Sequence, residues 1–203
     1  MLTKLIGEWW EQEDIPEEVI EANVALVFKS GDSCLPENYR PISLLTVIYK
    51  TVARILCAHI QNKIDPQIQK AQFGFRKNRS TGDAIHCMRR LLSQARAASE
   101  PNVLLLLLGW SKAFDKVSHE ALCIALERLN IPNKLVNMIK ALYKNIRFRV
   151  KIDGQTSDLY KQETGIRQGC PLSPYLFNLI MTVAFHDIKM DAYENSKKCK
   201  RQD

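Results

Sequence analysis

The sequence lacks any long hydrophobic run. Its longest purely apolar stretch, Val103 to Leu108, is far too short to cross a bilayer, so we expect no association with a membrane. The N-terminal residues MLTKLIGEWWEQED also lack the sustained apolar core of a secretory signal. Both absences predict an intracellular protein in a reducing compartment, either the nucleus or the cytoplasm.

The sequence also lacks the cysteine spacing of a metal site. It has six cysteines, but no two of them form a C-x-x-C pair and no pair of histidines stands beside them, which argues against zinc. Several lie in apolar stretches with helical periodicity, where cysteine behaves as a small hydrophobic residue. At 203 residues, the chain is long enough for one domain, or for one domain and a part. The sequence shows no internal repeat and no Gly/Ser-rich linker.

Acidic residues are in the minority. The chain has 22 Asp and Glu against 29 Lys and Arg, a formal net charge of +7, and a pI of about 9.1. This balance favours an anionic partner, and nucleic acid is the first candidate. On charge alone, a basic surface without a partner is an equal alternative.

Hydrophobic periodicity predicts an α+β chain in which helices outnumber short strands. The predicted helices cover residues 2–12, 45–64, 82–98, 118–130, 132–145 and 173–190. In the third of these, the side chains expected to face inward are Ile85, Met88, Leu91, Leu92 and Ala95. The predicted strands cover residues 24–28, 103–108, 148–152 and part of 156–163. The segment with Pro36 and Pro41 is predicted as a loop, and the polar, basic residues 191–203 as a disordered tail.

Two groups of cations are candidates for binding phosphate. Lys29 and Arg40 lie around turns, where a long cationic side chain can fold over a triphosphate. Arg76, Lys77 and Arg79 form a cluster that suits a nucleic-acid backbone. Solvated surface cations are the simpler alternative for both groups. The neighbouring aromatics Phe73 and Phe75 are interpreted as core residues.

Two further positions are candidates for function: the residue that follows the predicted leucine strand, and a loop before the last helix. The end of a buried strand can hold a catalytic side chain rigidly, yet the first residue past the run is Gly109, which has none. Farther along, Gln168 and Gly169 stand in a loop before the last helix. Glycine lets a ligand approach the backbone and glutamine can recognise a nucleotide edge; a plain turn is the alternative.

Four stretches, taken in order and spacing, resemble the reverse transcriptase domain of non-long-terminal-repeat, LINE-like retrotransposons. They are KSGDSCLPENYRPISLL (29–45), QFGFRKNRSTGDAI (72–85), VLLLLLGWSKAFDKV (103–117) and TGIRQGCPLSPYLFNLIM (164–181). The resemblance extends from about Ile15 to Met190. It implies an RNA-directed DNA polymerase fold with an RNA or RNA/DNA template-primer as partner. The chain would be a single incomplete domain, residues 1–203, with fingers over about 1–98 and part of the palm over about 99–190.

The resemblance also assigns roles to individual residues. Lys29 and Arg40 match the basic residues that hold the phosphates of the incoming nucleotide. Gln168 and Gly169 match a pair that contacts this nucleotide and the minor groove of the template-primer, and Phe114 matches the residue that excludes a ribose 2′-hydroxyl. A buried core aromatic is the alternative for Phe114. In this comparison Arg76, Lys77 and Arg79 lie along the template path.

The sequence departs from the family at its metal site. The family uses two Mg²⁺ ions, whose first carboxylate ligand stands at the end of the leucine strand, where this chain has Gly109. Asp115 belongs to the downstream Ala-Phe-Asp element and is not that ligand. The Ala-Asp-Asp hairpin that carries the other ligands is absent from the sequence, as is the thumb domain. Asp187 and Asp191 share a helical face but are poor substitutes, so no metal and no other cofactor is expected.

Three hypotheses follow. An active reverse transcriptase is opposed by the two departures at the metal site. A truncated or decayed retrotransposon fragment would be a catalytically inactive pseudoenzyme that binds nucleic acid weakly. A gene-model fragment would have no separate function. The second and third hypotheses differ in whether the chain folds and is present in cells.

Overall fold

The computed structural model describes residues 1–97 and 104–199, and side chains as far as Asp191. The chain is α+β, as predicted. Its helices are α1 (Leu2–Gln12), α2 (Glu17–Ile20), α3 (Val47–Ile64), α4 (Thr81–Ala97), α5 (His119–Arg128), α6 (Asn133–Tyr143) and α7 (Ser173–Cys199). Its strands are β1 (Ala22–Phe28), β2 (Tyr39–Leu44), β3 (Arg147–Ile152), β4 (Gln155–Thr156) and β5 (Tyr160–Lys161).

The strands form one mixed sheet in the order β2-β1-β3-β4, with β5 also paired to β3. β1 pairs antiparallel with β2, from Asn23 opposite Leu44 to Phe28 opposite Tyr39, and parallel with β3. The turn between β3 and β4 is formed by Asp153 and Gly154. Both have positive φ, 48° and 80°, as a tight hairpin turn requires.

Strand β2 corrects the prediction of a loop over this segment. Pro41 has no N–H to donate to a sheet, which is why the sequence argues against a strand. The structure accommodates Pro41 because β2 lies at the edge of the sheet, with a single neighbouring strand.

The hydrophobic core lies among α3, α5, α6 and α7. Thr46 and Ser118 cap α3 and α5, and each side chain accepts a hydrogen bond from the backbone N–H three residues later. The apolar stripes of these helices supply residues that are almost fully buried, among them Leu56, Ile60, Leu126, Ile139, Leu142, Leu176 and Leu179. Ala22 of β1 belongs to this core, and Val24, two residues farther along the strand, is buried on the same face of the sheet.

Helix α4 forms as predicted but does not enter the core. None of its side chains is buried, and Ile85 and Leu91, expected to face inward, are 54% and 60% exposed. The periodicity identifies the apolar stripe of the helix correctly. It cannot identify a partner for the stripe, whose other members, Met88, Leu92 and Ala95, are only half-buried.

The prediction of a buried leucine strand is wrong for the residues that the structure describes. Leu104 to Leu108 have no strand assignment, and their side chains are between 48% and 97% exposed. An extended segment becomes a strand only when a neighbouring backbone pairs with it. None of the five described strands pairs with this segment. The first residue of the run, Val103, lies outside the described residues.

Helix α7 is longer than predicted. It continues to Cys199, past the expected end near Met190 and into residues expected to be disordered. The extra residues contain neither glycine nor proline and include good helix formers, which explains the continuation. Residues 200–203 of the predicted tail lie outside the described part. Among the described helices, none is both long enough and apolar enough to cross a membrane.

Candidate functional site

The four stretches singled out in the sequence meet in one region. The backbone of Ser43 in the first contacts Gln168 in the fourth. Phe114 in the third lies between one phenylalanine from the second stretch and one from the fourth. Segments more than 100 residues apart in sequence therefore form a single local structure.

The first of these contacts joins the edge strand β2 to the Gln168–Gly169 loop. The Ser43 N–H donates to the Gln168 carbonyl oxygen at 2.7 Å. Gly169 has a φ of +113°, and a Cβ at this position would lie 2.6 Å from the Ser43 carbonyl oxygen. Only glycine fits such a backbone without strain, so Gly169 is required by the packing of this loop.

The same loop is fastened to the Ala-Phe-Asp element. Gly165 N–H donates to the Val117 carbonyl at 2.7 Å, and Ile166 N–H donates to the Phe114 carbonyl at 2.8 Å. A Cβ on Gly165 would lie 2.8 Å from the Asp115 carbonyl oxygen, so this approach also depends on glycine. The loop is therefore held at both ends by backbone contacts, to β2 and to the Ala-Phe-Asp element.

Asp115 contributes its side chain to this junction. The Gln168 amide donates to an Asp115 carboxylate oxygen at 3.2 Å, which fixes the orientation of the glutamine. Sequence reasoning assigns Asp115 no function beyond its motif. The feature of the sequence that could have indicated this contact is the pair of glycines, Gly165 and Gly169, which allow the loop to approach Asp115 and Ser43 closely.

Phe114 lies in a group of three aromatic rings. Its centroid is 5.1 Å from that of Phe177 and 6.2 Å from that of Phe75. The Phe114 ring is half-buried and packs against the core. This position is compatible with both interpretations of Phe114, a core aromatic and a ring at the border of a cleft that excludes a 2′-hydroxyl. Phe75, expected to be buried, is 56% exposed, so that prediction is wrong; Phe73 is half-buried.

Arg76 is occupied by internal contacts. Its side chain is only 6% exposed and makes a bidentate ion pair with Asp65, at 2.9 and 3.0 Å. It also donates to the backbone carbonyls of Asp65, Gln69 and Gln72. The hydrogen bonds from Arg76 lower the pKa of Asp65. Arg76 thus fastens the second stretch to the end of α3, and it presents little of its guanidinium to a ligand.

The other two cations of this cluster are exposed. Lys77 makes none of the described ion pairs, and Arg79 lies over the Phe73 ring at 5.7 Å. A side-chain contact fixes the second stretch to α7: Asn178 donates to the Gly74 carbonyl at 3.0 Å. Lys77 and Arg79 are therefore the accessible cations of a positioned segment.

Lys29 and Arg40 lie close together on the β1–β2 hairpin. Arg40 is opposite Val27, and Lys29 follows β1 directly, two residues beyond Val27. Because side chains alternate along a strand, Lys29 and Arg40 point to the same side of the hairpin. Both are exposed. Arg40 is three residues from Ser43 along β2, a distance of about 10 Å and on the opposite face of the strand.

An open cleft of about 320 Å³ adjoins the loop. Its lining joins the sheet, the Ala-Phe-Asp element and the loop, and includes Pro41, Ser43, Asp115, Phe148, Thr164 and Gln168. Gln168 is therefore one of the residues that line this cleft. Lys29 and Arg40 are not among the lining residues.

Arg167 is a residue that sequence reasoning misses. It is 2% exposed, and its two terminal nitrogens have no hydrogen-bond partner among the described residues. Its guanidinium lies 5.2 Å from the centre of the Tyr49 ring, and burial lowers its pKa. A buried arginine without a carboxylate is costly, and the aromatic face of Tyr49 compensates for part of this cost. Nothing in the residues that flank Arg167 in sequence indicates its burial.

The side chains that the structure describes do not fit a pair of divalent metals. Gly109 offers no side-chain oxygen, and a Cβ there would meet nothing within 4 Å, so the position is open and supplies no carboxylate. Within the described ranges, no group of three or more His, Cys, Asp or Glu side chains could hold a metal ion. Asp187, considered as a substitute, is engaged with Arg128 in a bidentate ion pair between α7 and α5. Asp191 is exposed on α7.

Comparisons with known proteins agree with the resemblance. A family model described as "Reverse transcriptase (RNA-dependent DNA polymerase)" matches residues 27–200. The "Transposon TX1 uncharacterized 149 kDa protein" of Xenopus laevis is 30% identical over 176 residues, which cover 87% of this chain and 13% of that protein.

Two insect relatives give the same result. The "RNA-directed DNA polymerase from mobile element jockey" of Drosophila funebris is 31% identical over 163 residues, 78% of this chain and 17% of that protein. The "Retrovirus-related Pol polyprotein from type-1 retrotransposable element R2" of Popillia japonica is 28% identical over 171 residues, 82% of this chain and 23% of that protein. The chain therefore spans less than a quarter of each of these relatives.

Proposed function

Because the chain belongs to the reverse transcriptase family of non-long-terminal-repeat retrotransposons, we propose that it binds a template-primer of RNA or RNA and DNA but does not extend the primer. The proposal that the chain binds template-primer is supported by the convergence of the four stretches around the Gln168–Gly169 loop. The proposal that it does not extend the primer is supported by Gly109, which stands where the family has a metal-binding aspartate.

The geometry supports binding in two ways. The cleft beside Gln168 provides a hydrogen-bonding amide that Asp115 holds in one orientation. Lys77 and Arg79 provide exposed positive charge on a segment fixed to α7, and the chain as a whole carries a net charge of +7. Contacts of this kind to phosphates are independent of base sequence, so binding should be weak and without sequence preference.

The expected lack of catalysis follows from the charge of the two metal ions that a polymerase must hold. Polymerases join nucleotides with two divalent metals about 3.5–4 Å apart, and such an arrangement requires several carboxylate oxygens around concentrated positive charge. With Gly109 in the expected aspartate position, a shared ligand is missing. Phosphoryl-type transfer depends almost wholly on positioning and charge neutralisation, so a site without this ligand should not support primer extension.

Binding is tested with a labelled primed RNA and the double variant Lys77→Ala, Arg79→Ala. We expect the dissociation constant to rise, and the slope of log affinity against log salt to decrease by about 0.7 for each phosphate that the variant no longer neutralises. The matched control is Lys4→Ala with Lys189→Ala, which removes the same charge from two exposed lysines on α1 and α7 that form none of the described ion pairs. Wild-type binding that is insensitive to salt, or equal effects in the two double variants, would contradict the assignment.

Catalysis is tested with a chimera in which the chain continues into the Ala-Asp-Asp hairpin and thumb of a relative. With Gly109 retained, the chimera should not incorporate labelled nucleotide with Mg²⁺ or Mn²⁺. With Gly109→Asp, it should recover some extension, since the position is open enough for the new side chain. Gly109→Asp in the unextended chain should remain inactive, because residues that act as a unit are strongly non-additive. Primer extension by the unmodified chain would refute the inactive assignment.

A further inference from the structure

Ser80 is an exposed serine between the basic residues of the second stretch and helix α4. Its hydroxyl donates to an Asp83 carboxylate oxygen at 2.9 Å and accepts from the Asp83 backbone N–H at 3.2 Å. The Ser80 N–H donates to the same carboxylate oxygen at 2.8 Å. All three bonds are solvent-exposed and join Ser80 to one residue of the first turn of α4. The hydroxyl therefore lies at the surface and is held by local contacts.

The sequence on the N-terminal side of Ser80 is basic. From residue 66 to residue 82 the chain contains four Lys and Arg but neither Asp nor Glu. The structure distinguishes the cations nearest to Ser80. Arg76 is buried in its ion pair, whereas Lys77 and Arg79, three residues and one residue before Ser80, are exposed. Because protein kinases select their substrates by charge pattern, these two cations suit a kinase with an acidic substrate groove.

A second exposed serine has a similar basic sequence but a different structural setting. Ser93 follows Arg89 and Arg90 by four and three residues, and it lies in the interior of α4. A kinase binds its target as extended backbone, so a kinase acting on Ser93 would have to unwind several hydrogen-bonded turns. Ser80 precedes the helix, so only the first turn must open. That turn contains Gly82, a poor helix former, and no side chain of α4 is buried. The structure therefore favours Ser80.

We propose that Ser80 is phosphorylated by a protein kinase that selects basic residues, and that the phosphate weakens the binding of a template-primer. In this step the Ser80 Oγ attacks the γ-phosphorus of ATP, the bond from that phosphorus to the bridging oxygen breaks, and ADP leaves. The hydroxyl proton passes to the catalytic aspartate of the kinase, and no group is oxidised or reduced. The effect on binding rests on the proposed function, whereas the modification itself does not.

The phosphate would act through charge. It adds about −1.5 to −2 elementary charges at pH 7, enough to offset the two exposed cations, Lys77 and Arg79. Its oxygens accept hydrogen bonds from a guanidinium, so within this segment it would compete with the phosphates of a nucleic acid. The present bond from the Ser80 hydroxyl to Asp83 would be lost, because the phosphorylated Oγ has no proton to donate and the carboxylate repels the phosphate.

The modification is tested on the whole chain with protein kinase C and ATP labelled at its γ-phosphate. Mass spectrometry of proteolytic peptides then locates the phosphate. We expect it on Ser80, and we expect Ser80→Ala to lose most of the label. A phosphate found on Thr81 or Ser93 instead, or no incorporation at all, would overturn the assignment.

The effect on binding is measured with phosphoserine installed at position 80 during translation. The probe is the labelled primed RNA, titrated between about 50 and 200 mM salt. We expect binding to be several-fold weaker, with a salt slope smaller by about 0.7 for each phosphate contact that is lost. The matched control carries phosphoserine in place of Ser93, which adds the same charge on α4, 13 residues farther along the chain. Its affinity should change less.

A further combination tests whether the phosphate acts through Lys77 and Arg79. In the Lys77→Ala, Arg79→Ala variant, phosphoserine at position 80 should weaken binding little further, because the cations that it neutralises are already absent. Equal melting temperatures would show that the phosphorylated and unmodified proteins are folded to the same extent. Full additivity of the two changes would overturn this mechanism.

The remaining outcomes separate this inference from the proposed function. An unmodified chain that fails to bind primed RNA would overturn the proposed function together with the effect of the phosphate. Binding by the unmodified chain that phosphoserine at position 80 leaves unchanged would overturn the effect of the phosphate alone. Equal weakening by phosphoserine at positions 80 and 93 would also overturn it, because net charge and not position would then explain the result.

Discussion

The backbone N–H of Ser43 donates to the carbonyl oxygen of Gln168 at 2.7 Å, although the two residues are 125 positions apart in sequence. This bond satisfies the Ser43 N–H on the outer edge of β2, which has a neighbouring strand on one side only. It also fixes the loop that carries the glutamine against the sheet that carries Arg40. A single backbone contact thereby joins the Gln168–Gly169 loop to the edge strand of the sheet.

The contact predicts a specific requirement for Gly169. Gly169→Ala should lower the free energy of unfolding by about 1–3 kcal/mol, because the residue has a backbone conformation that only glycine adopts readily. The new Cβ would also push the Ser43 carbonyl away, so affinity for a primed template should fall as well. Chemical denaturation and template-primer titration measure the two effects.

Gly7 provides the matched control for this substitution. It lies exposed within α1, and a Cβ there would meet nothing within 4 Å. Gly7→Ala should raise stability by about 0.5–1 kcal/mol, as expected for alanine in a helix interior. If Gly169→Ala and Gly7→Ala changed stability in the same direction, the strained loop would not be a feature of the folded protein.

The ion pair between Arg128 and Asp187 predicts a dependence of stability on acid. Hydrogen bonds from Arg128 lower the pKa of Asp187 to about 2, from an ordinary value of 3.8. Because the folded-state pKa is the lower one, the contribution is fully present above pH 3.8 and is lost as the pH falls through about 2. The pair joins α5 to α7, so its loss should loosen the packing of these helices.

We therefore expect Asp187→Asn to reduce the decrease in urea midpoint between pH 5 and pH 2, relative to wild type. Asp158→Asn is the control, since Asp158 is exposed and forms none of the ion pairs found among the described side chains. A wild-type midpoint that does not change with acid over this range would contradict the prediction. So would an equal response in the two variants.

The exposed leucines predict poor behaviour in solution. Leu104 to Leu108 form an apolar segment whose backbone has no partner strand among the described residues. Such a segment is a template for pairing with other chains, so the protein expressed alone should aggregate or bind hydrophobic dyes. Light scattering and size-exclusion chromatography measure this tendency.

Substitution can locate the source of the aggregation. Leu106→Lys with Leu107→Lys should suppress it, because charge opposes edge-to-edge pairing. Leu2→Lys with Leu35→Lys adds the same charge at two other exposed leucines and should suppress it less. A monomer that melts sharply and cooperatively without any substitution would contradict the prediction.

Several features can be predicted from the sequence because they depend on local chemistry. The helix caps at Thr46 and Ser118, and the turn at Asp153 and Gly154, each follow from residues within a few positions of one another. The family is identified by motifs in order, and the departure at Gly109 is visible without coordinates. Charge alone leaves an anionic partner and a basic surface without a partner as equal alternatives.

Other features were decided by tertiary structure, because they depend on which distant segment supplies a partner. Pro41 lies in a strand since β2 is at an edge, and the leucine segment is not a strand since no described backbone pairs with it. Arg76 and Lys77 are adjacent in sequence, yet Arg76 turns inward to Asp65 while Lys77 remains exposed. The sequence by itself determined which chemical groups this protein has. Only the long-range contacts decided which of them are buried, paired or available to a ligand, because the free energy of burial depends on neighbours that the local sequence does not specify.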